Sequence, residues 1–324
     1  MSLVQCGLCP NNCMIPETVK GRCRARMNIG GELYSLVYGK PCAVHIDPIE
    51  KKPMFHFLPG SSSFSIATAG CCLSCKYCQN WQISQANPEE TPHYDMPPEK
   101  VVALAQEKGC RSIAYTYTDP IIFYEYVYDT AVLARKAGLK NILVTCGYIN
   151  DAPLKELTPL IDGANIDLKG FTEAYYRTVT GGSLAPVMHA IQYMAKHGVI
   201  VEVTNLVVPT LNDNLDEIRR MVRWLGEEVS PDVPLHFSRF YPNFKLEHLP
   251  ATPYETLQAA WAAAREAGLH FVYMGNVYQT EGQETYCPAC GALVIKRSGY
   301  RILTSNMKGN ACAACGAAIY GVFE

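Results

Sequence analysis

The sequence lacks the features of a membrane-spanning, secreted or nucleic-acid-binding protein. Its 324 residues contain no apolar run of about 18 residues, the length that a membrane-spanning helix requires. The first residues, Met-Ser-Leu-Val-Gln-Cys, lack the basic and apolar segments of a secretory signal peptide. A formal net charge of −2 gives no electrostatic reason to bind nucleic acid or an anionic membrane. We therefore expect a cytoplasmic protein without a membrane or nucleic-acid partner.

Cysteine, by contrast, is abundant, and most of it is clustered. The sequence has 15 cysteines, and most of them fall into three local groups. Reduced compartments disfavour disulfides, so such groups indicate metal ligation there. The three groups are Cys6, Cys9, Cys13 and Cys23; Cys71, Cys75 and Cys78; and Cys287, Cys290, Cys312 and Cys315.

The central group lies in a loop, residues 70–81, that follows the apolar run 64–69. Its spacing is Cys-x3-Cys-x2-Cys, and three thiolates on one short loop can hold three corners of an iron–sulfur cube. A four-iron cluster with three protein ligands has one iron without a protein ligand, and a catalytic metal site needs such an open position. A zinc knuckle or a chance cluster is the alternative, but zinc sites usually show paired CxxC units and a fourth ligand. Cys72 breaks the spacing and leaves an ambiguity of register.

From about residue 62 the chain alternates apolar, β-branched runs with amphipathic segments, which predicts βα units and a parallel sheet. We predict an α/β fold, a partial TIM-type (β/α)6 barrel spanning 61–280. An N-terminal Cys-rich module with a connector, 1–60, would precede it, and a zinc-ribbon-like module with four cysteines, 281–324, would follow. The predicted strands are 64–69, 112–116, 141–145, 164–168, 199–208 and 235–240, with 269–273 as a candidate seventh. The predicted helices are 98–108, 121–137, 154–160, 185–197, 214–229 and 253–267.

Unusual polar residues follow the predicted strands, where barrels of this type carry their function. Each residue alone has an ordinary explanation: a strand-end Asp such as Asp119 often caps a helix, and a strand histidine such as His236 is often a core residue. Their joint placement on one rim favours a binding site. The candidates are Asp119, Gly147, Asp167, Leu168, Lys169, Thr204, Asn205, His236 and Asn276.

The two terminal cysteine groups predict closed sites. The four N-terminal thiols suit either zinc or a second iron–sulfur cluster, and the sequence leaves both open. The C-terminal group consists of two CxxC-Gly knuckles with strand-like runs, 293–297 and 300–303, between them. This is a zinc-ribbon pattern, so structural zinc is favoured there over an auxiliary cluster. The basic residues between the knuckles, Arg297 among them, are expected to form a solvated face.

The loop sequence Cys75-Lys76-Tyr77-Cys78, with its aromatic residue before the third cysteine, resembles the signature of radical S-adenosylmethionine (SAM) proteins. The rim motifs resemble those of the pyruvate formate-lyase activating enzyme branch. Within that branch the sequence is most similar to the radical SAM member of the "AmmeMemoRadiSam" system. The motifs that carry this resemblance lie at 6–13, 47–60, 75–81, 115–117, 236–242 and 275–276.

The resemblance implies a [4Fe-4S] cluster on Cys71, Cys75 and Cys78 whose open iron binds SAM. Reductive cleavage of SAM would give a 5′-deoxyadenosyl radical that abstracts hydrogen from a substrate. Asp119 stands where the family often has Gly-Gly-Glu, so it is the expected acceptor for the SAM amino group. The other implied SAM contacts are Tyr77, Cys78 and Gln79 at the adenine, Asp167 and Lys169 at the amino acid and ribose, and His236 near the methionine part.

Three functional hypotheses follow. The first is a radical SAM enzyme that acts on an unidentified small molecule or peptide. The second is an activase that installs a glycyl radical on a partner enzyme. The third, from a different class, is a multi-zinc scaffold that mediates interactions. The resemblance implies a reductant such as flavodoxin or ferredoxin, and by association alone Memo-like or AMMECR-like partners.

Overall fold

The N-terminal segment forms two short hairpins. The computed structural model describes residues 3–278 and 281–324. The first hairpin brings Cys6 next to Cys13, since the amide of Cys6 donates to the Cys13 carbonyl at 2.9 Å. The paired strands are β1 (Leu3–Gln5) with β2 (Met14–Pro16), and β3 (Arg26–Ile29) with β4 (Glu32–Ser35).

The central feature is an eight-stranded sheet in which the strands lie in chain order from one edge to the other. Seven neighbouring strands are parallel, and the first strand of the sheet pairs antiparallel with the second at one edge. The strands are β5 (Ala43–Pro48), β6 (Ser62–Ala67), β7 (Ser112–Tyr115), β8 (Lys140–Thr145), β9 (Gly163–Asp167), β10 (Ile200–Val207), β11 (Leu235–Arg239) and β12 (Val272–Gly275).

This sheet confirms the predicted parallel α/β fold and extends it. All six predicted strands are present within a few residues of their expected bounds, and the candidate seventh is β12. The prediction stopped at six βα units, whereas the sheet has a seventh parallel strand and the antiparallel edge strand β5. The segment that forms β5, Ala-Val-His-Ile-Asp-Pro, ends in proline and lies in a stretch that reads as turns and short strands. Its place in the main sheet depends on long-range pairing with β6, which local pattern does not show.

Helices connect the parallel strands, as parallel pairing requires. Gly138, Gly198 and Gly268 each lie two residues after the end of a helix, with φ of 77°, 85° and 95°, the left-handed conformation that glycine favours there. The helices are α1 (Trp81–Ser84), α2 (Pro98–Glu107), α3 (Tyr124–Lys136), α4 (Asp151–Leu157), α5 (Glu173–Tyr175), α6 (Ala185–Lys196), α7 (Leu215–Glu228) and α8 (Tyr254–Glu266). Single 3-10 turns lie at Ile49–Lys51, Pro88–Glu90, Pro120–Phe123, Thr158–Leu160 and Phe244–Leu246, and a π-helical turn at Tyr176–Thr180.

The core lies between the sheet and these helices. Strand residues such as Ile113 and Val203 are fully buried, because helices cover the parallel sheet. The helices contribute one apolar face each, for example Val127 on α3, Ile191 on α6 and Leu225 on α7. Burying one such side chain stabilises the fold by about 1.5–3 kcal/mol. In residues 3–278 and 281–324 there is no helix with the length and apolar character to span a bilayer.

The C-terminal module packs against the connector between β5 and β6. Arg297 has no exposed surface and donates to the carbonyl of Phe55 at 2.7 Å and to Thr285 Oγ1 at 2.7 Å. Its guanidinium lies 4.4 Å from the centre of the Phe55 ring. The strands of the module are β13 (Thr285–Tyr286), β14 (Leu293–Ser298) and β15 (Arg301–Ser305) in one sheet, and β16 (Met307–Lys308) with β17 (Ala311–Cys312).

Candidate functional site

A cavity of about 640 Å³ lies at the carboxyl ends of the parallel strands. The three thiols of Cys71, Cys75 and Cys78 line one side of it. Eight of the other predicted site residues also line it: Tyr77, Gln79, Asp119, Asp167, Lys169, Thr204, His236 and Asn276. Residues that are up to about 200 positions apart in the sequence therefore meet at one cavity, because the ends of parallel strands meet at one edge of the sheet.

The loop that carries the three thiols is fixed by backbone contacts on both sides. The amides of Ser74 and Lys76 donate to the carbonyls of Thr180 and Val179 at 2.9 and 3.0 Å. At the start of the loop Gly70 has φ of 98°, and a Cβ there would lie 2.3 Å from the Cys23 carbonyl oxygen. Only glycine fits this close approach. The loop is therefore held between the π-helical turn and the N-terminal module.

The donor set of this loop fits an iron–sulfur cluster. Burial raises the pKa of the Cys75 and Cys78 thiols, since a thiolate is poorly stabilised away from water. The nearby Lys169 ammonium opposes this shift at both thiols. A bound metal cluster would supply the remaining positive charge, and cysteine thiolates are the ligands of such clusters. The cavity in front of the thiols gives the space that a ligand of an open iron requires.

An ion pair near these thiols also lines the cavity. Lys169 Nζ lies 3.0 Å from Asp167 Oδ2, and the lysine side chain is only 14% exposed. The same ammonium lies 5.9 Å from the centre of the Tyr77 ring. The charge of the Asp167 carboxylate holds the pKa of Lys169 well above its usual range, against the effect of burial. Lys169 is therefore a fixed cation between the strand end and the thiol loop.

Asp119 has structural partners for both carboxylate oxygens. One oxygen accepts from the amide of Ile121 at 3.0 Å, as an N-cap does, and the other from the amide of Cys146 at 2.8 Å. Thr145 Oγ1 also donates to this carboxylate, at 3.2 Å to Oδ2. Burial raises the pKa of Asp119. The residue ties the loops after β7 and β8 together, and its role as an acceptor for SAM stays a prediction.

His236 forms a buried pair with a glutamate. Its Nε2 lies 2.7 Å from Glu202 Oε2, and Glu202 also accepts from the amides of Phe55 and His56 at 3.0 and 2.7 Å. These hydrogen bonds and the neighbouring histidines lower the pKa of Glu202 despite its burial. The His236 ring also stacks on Tyr273, with ring centres 5.1 Å apart. The pair fixes the orientation of the imidazole at the cavity wall.

Three predicted residues lie beside the cavity but are not part of its lining. Leu168 is fully buried in the core, and its carbonyl accepts from the amide group of Asn205 at 2.7 Å. This contact joins the ends of β9 and β10. Gly147 has φ of 63°, and a Cβ there would lie 2.9 Å from Ile166 Cγ2. These residues position the walls, whereas Thr204 and Asn276 contribute to the lining itself.

Comparisons with known proteins agree with this geometry. A family model described as the Radical SAM superfamily matches residues 65–225. The uncharacterized protein MJ0808 of Methanocaldococcus jannaschii is 46% identical over 315 residues, covering 97% of this chain and 94% of that protein. The pyruvate formate-lyase-activating enzyme of Clostridium pasteurianum is 22% identical over 166 residues, covering 47% of this chain and 64% of that protein. SuiB of Streptococcus suis, in its structure bound to S-adenosylmethionine, shares the fold with a TM-score of 0.52 at 9% identity, over 74% of this chain and 56% of that chain.

The chain belongs to the radical SAM superfamily. Membership implies an enzyme that uses a [4Fe-4S] cluster and SAM, and it supports the enzyme hypotheses over the zinc scaffold. The similarity to an activating enzyme agrees with the expected branch. The narrower resemblance to the AmmeMemoRadiSam member stays a prediction.

The C-terminal cysteines of this radical SAM protein form a compact set. The four Sγ atoms of Cys287, Cys290, Cys312 and Cys315 all lie within 4.8 Å of one another. Cys287 and Cys315 are 3.7 Å apart, and Cys290 and Cys312 are 3.9 Å apart. Tetrahedral zinc with Zn–S bonds of about 2.3 Å would place its sulfurs about 3.8 Å apart. The group can therefore bind a metal, and zinc remains the predicted one.

The N-terminal thiols lie against the cluster loop. Cys9 and Cys23 both pack against the main core. Burial, together with the neighbouring thiols of its own group, raises the pKa of Cys9 to about 12. Asn11 Nδ2 donates to the carbonyl of Cys72 at 2.8 Å. A shared metal site of the four thiols stays a prediction, and zinc and a second cluster both remain open for it.

Sequence reasoning did not identify one wall of the cavity. Glu50 and Phe55 of the connector, and Gln283 and Tyr300 of the C-terminal module, contribute to the lining. Their segments are separated by more than 200 residues and meet only through docking of the module. The expectation of a solvated Arg297 was wrong, because this residue is fully buried at the contact. The one available signal is the composition of the connector, in which Pro53, Pro59 and Gly60 favour a structured segment over a flexible linker.

Proposed function

We propose that this protein is a radical SAM enzyme whose cluster is held by Cys71, Cys75 and Cys78. The observation that supports this most directly is the meeting of the three thiols with Asp119, Lys169 and His236 at one cavity. When bound and reduced, such a cluster supplies the electron that cleaves SAM to methionine and a 5′-deoxyadenosyl radical, which abstracts hydrogen from a substrate.

The residues of the chain bind and orient SAM in this proposal. The Asp167–Lys169 pair offers one anion and one cation, which suit the amino and carboxylate groups of an amino acid. Tyr77 and Gln79, which line the cavity, would provide a surface for the adenine, and His236, fixed by Glu202, would contact the methionine part. The buried walls exclude water from the reacting atoms, which protects a radical from side reactions.

The first test is formation of 5′-deoxyadenosine. Anaerobically reconstituted protein, reduced with dithionite and given SAM, is expected to form the product, and Cys75→Ala is expected to form none because a cluster ligand is lost. Cys110→Ala, a buried cysteine outside the three groups, serves as the matched control and should retain iron and product. Wild-type protein without bound iron would contradict the proposal. A verified four-iron cluster that gives no product, even with candidate substrates, would do the same.

The similarity to a pyruvate formate-lyase-activating enzyme supports a second candidate, in which the abstracted hydrogen comes from a glycine of a partner enzyme. Both candidates use a reductant such as flavodoxin or ferredoxin. They differ in the location of the radical after turnover. Electron paramagnetic resonance after mixing with a candidate partner would show a glycyl radical only for the activase.

A further inference from the structure

The cavity has a second side, which the proposed SAM contacts do not include. We name it the connector wall. It includes the apolar residues Pro53 and Phe55 and the aromatic residue Tyr300. Its residues are Glu50, Lys51, Pro53, Phe55, Tyr117, Gln283, Gly299 and Tyr300.

One carboxylate oxygen of this wall lacks a partner. Glu50 is 1% exposed, and its Oε1 accepts from the amide of Gly60 at 2.7 Å. Its Oε2 is buried and has no hydrogen-bond partner in the described part of the chain. A buried polar atom without a partner is costly, and such atoms mark sites where a ligand or ion completes the structure. A donor that entered the cavity could fill this position.

The basic side chains nearby have other acceptors. The ammonium groups of Lys51 and Lys52 both contact Asp47, at 2.9 and 2.5 Å. Arg297 does not line the cavity, and its terminal nitrogens donate to Thr285, Phe55 and the Gln283 carbonyl. Its charge lowers the pKa of Glu50, but among the described residues its buried Nε has no hydrogen-bond partner and no hydrogen bond joins the two side chains. Glu50 Oε2 therefore remains without a donor from the described part of the chain.

The connector wall is fixed in position relative to the thiol loop through Tyr117. This residue has φ of 63°, an unfavourable conformation for a residue with a side chain. Its hydroxyl donates to Asp47, and its carbonyl accepts from Asn80 Nδ2 of the thiol loop at 2.7 Å. A ligand held at Glu50 would consequently have a defined distance to the site of the chemistry.

We propose that the connector wall binds the substrate through a protonated primary amine, with Glu50 Oε2 as acceptor and Tyr300 packed against the adjoining apolar part. Burial raises the pKa of Glu50, and a bound cation would favour its ionised form through a charge-assisted hydrogen bond. Tyr300 lies at the turn between β14 and β15, so the C-terminal module takes part in substrate binding. This inference rests on the proposed function and names the substrate class of the same cavity.

Two probes of equal size test the proposal. Ligand-detected NMR titrations of the reconstituted protein with SAM would compare n-hexylammonium with 1-hexanol. We expect the ammonium to bind roughly tenfold more tightly or better, the scale of a buried hydrogen bond to a charged group. Glu50→Gln should abolish this preference. Glu281→Gln is the matched control, since Glu281 contacts Tyr254 and Gln258 outside the cavity lining.

Tyr300→Ala should weaken both probes to a similar degree and leave their ratio unchanged. Equal affinity of the two probes for the wild-type protein would overturn the inference, and this comparison does not depend on the folding of any variant. A preference retained in folded Glu50→Gln would overturn it as well. Measuring 5′-deoxyadenosine in parallel separates the two proposals. Product without an amine preference sinks only the substrate assignment, whereas an intact cluster without product sinks the proposed function.

Discussion

The cluster loop and the C-terminal module both present cysteine thiols, and their surroundings differ. In the module four thiols converge from two knuckles, with all sulfurs within 4.8 Å of one another, so that a bound ion would have a complete set of ligands. On the loop three thiols face a cavity of about 640 Å³, with Lys169 and His236 among the other lining residues. Four converging thiols are typical of a closed structural metal site, whereas three thiols beside a cavity leave one metal position open for chemistry.

Removing one thiol from the C-terminal module gives the largest expected effect, a loss of bound zinc that leaves the cluster loop unchanged. Cys312→Ser should lower the zinc content by about one atom per chain, because a structural zinc site needs its four ligands. Iron content and formation of 5′-deoxyadenosine without added substrate should remain. Metal analysis together with the product assay checks both. Loss of iron in this variant would show that the cluster loop depends on the metal site of the module. Cys42→Ser, outside the three cysteine groups, is the control and should retain both metals.

The sequence predicted the part of the molecule that depends on local pattern. The strands, the helix ends at Gly138, Gly198 and Gly268, and the spacing of both thiol sets are local features. The strand-end residues could be grouped because parallel strands share an edge. Contacts between distant segments could not be predicted in this way. Glu202 beside His236 and Arg297 beneath Phe55 are pairings of this kind.

A second experiment tests how firmly the module is joined to the barrel. Arg297→Met should lower the free energy of unfolding by about 3 kcal/mol, since it removes hydrogen bonds from a buried cation to Phe55 and Thr285. Urea denaturation measures the change. Arg301→Met, on the exposed face of the same hairpin, should change the stability by less than about 0.5 kcal/mol. Equal effects of the two substitutions would contradict the anchoring role of Arg297.

The smallest expected effect is on the pH dependence of stability, through a histidine at the contact between the barrel and the C-terminal module. His56 is fully buried between the barrel and the module: its Nδ1 lies 2.6 Å from the carbonyl oxygen of Tyr320, and its Nε2 lies 2.6 Å from the hydroxyl of Tyr273. Nδ1 must be protonated to donate to the carbonyl, so Nε2 of the neutral ring accepts from Tyr273. Burial lowers the pKa of His56 to about 4. The folded protein therefore favours the neutral form of the His56 side chain.

The sign of the pH dependence follows from this shift. Between an unfolded-state pKa of about 6.5 and the folded value, the unfolded chain binds more protons at this residue, so stability falls as the pH falls. Between pH 6.5 and 4.5 the loss is about 2 kcal/mol. Glu202, whose pKa is lowered in the folded protein, adds its own loss of stability mainly below this pH window.

His56→Gln should flatten the curve of stability against pH from pH 6.5 to 4.5. His270→Gln, an exposed histidine paired with Asp232, should leave the curve nearly unchanged. Parallel curves for the wild type and His56→Gln would mean that the contact between module and barrel tolerates a protonated imidazole.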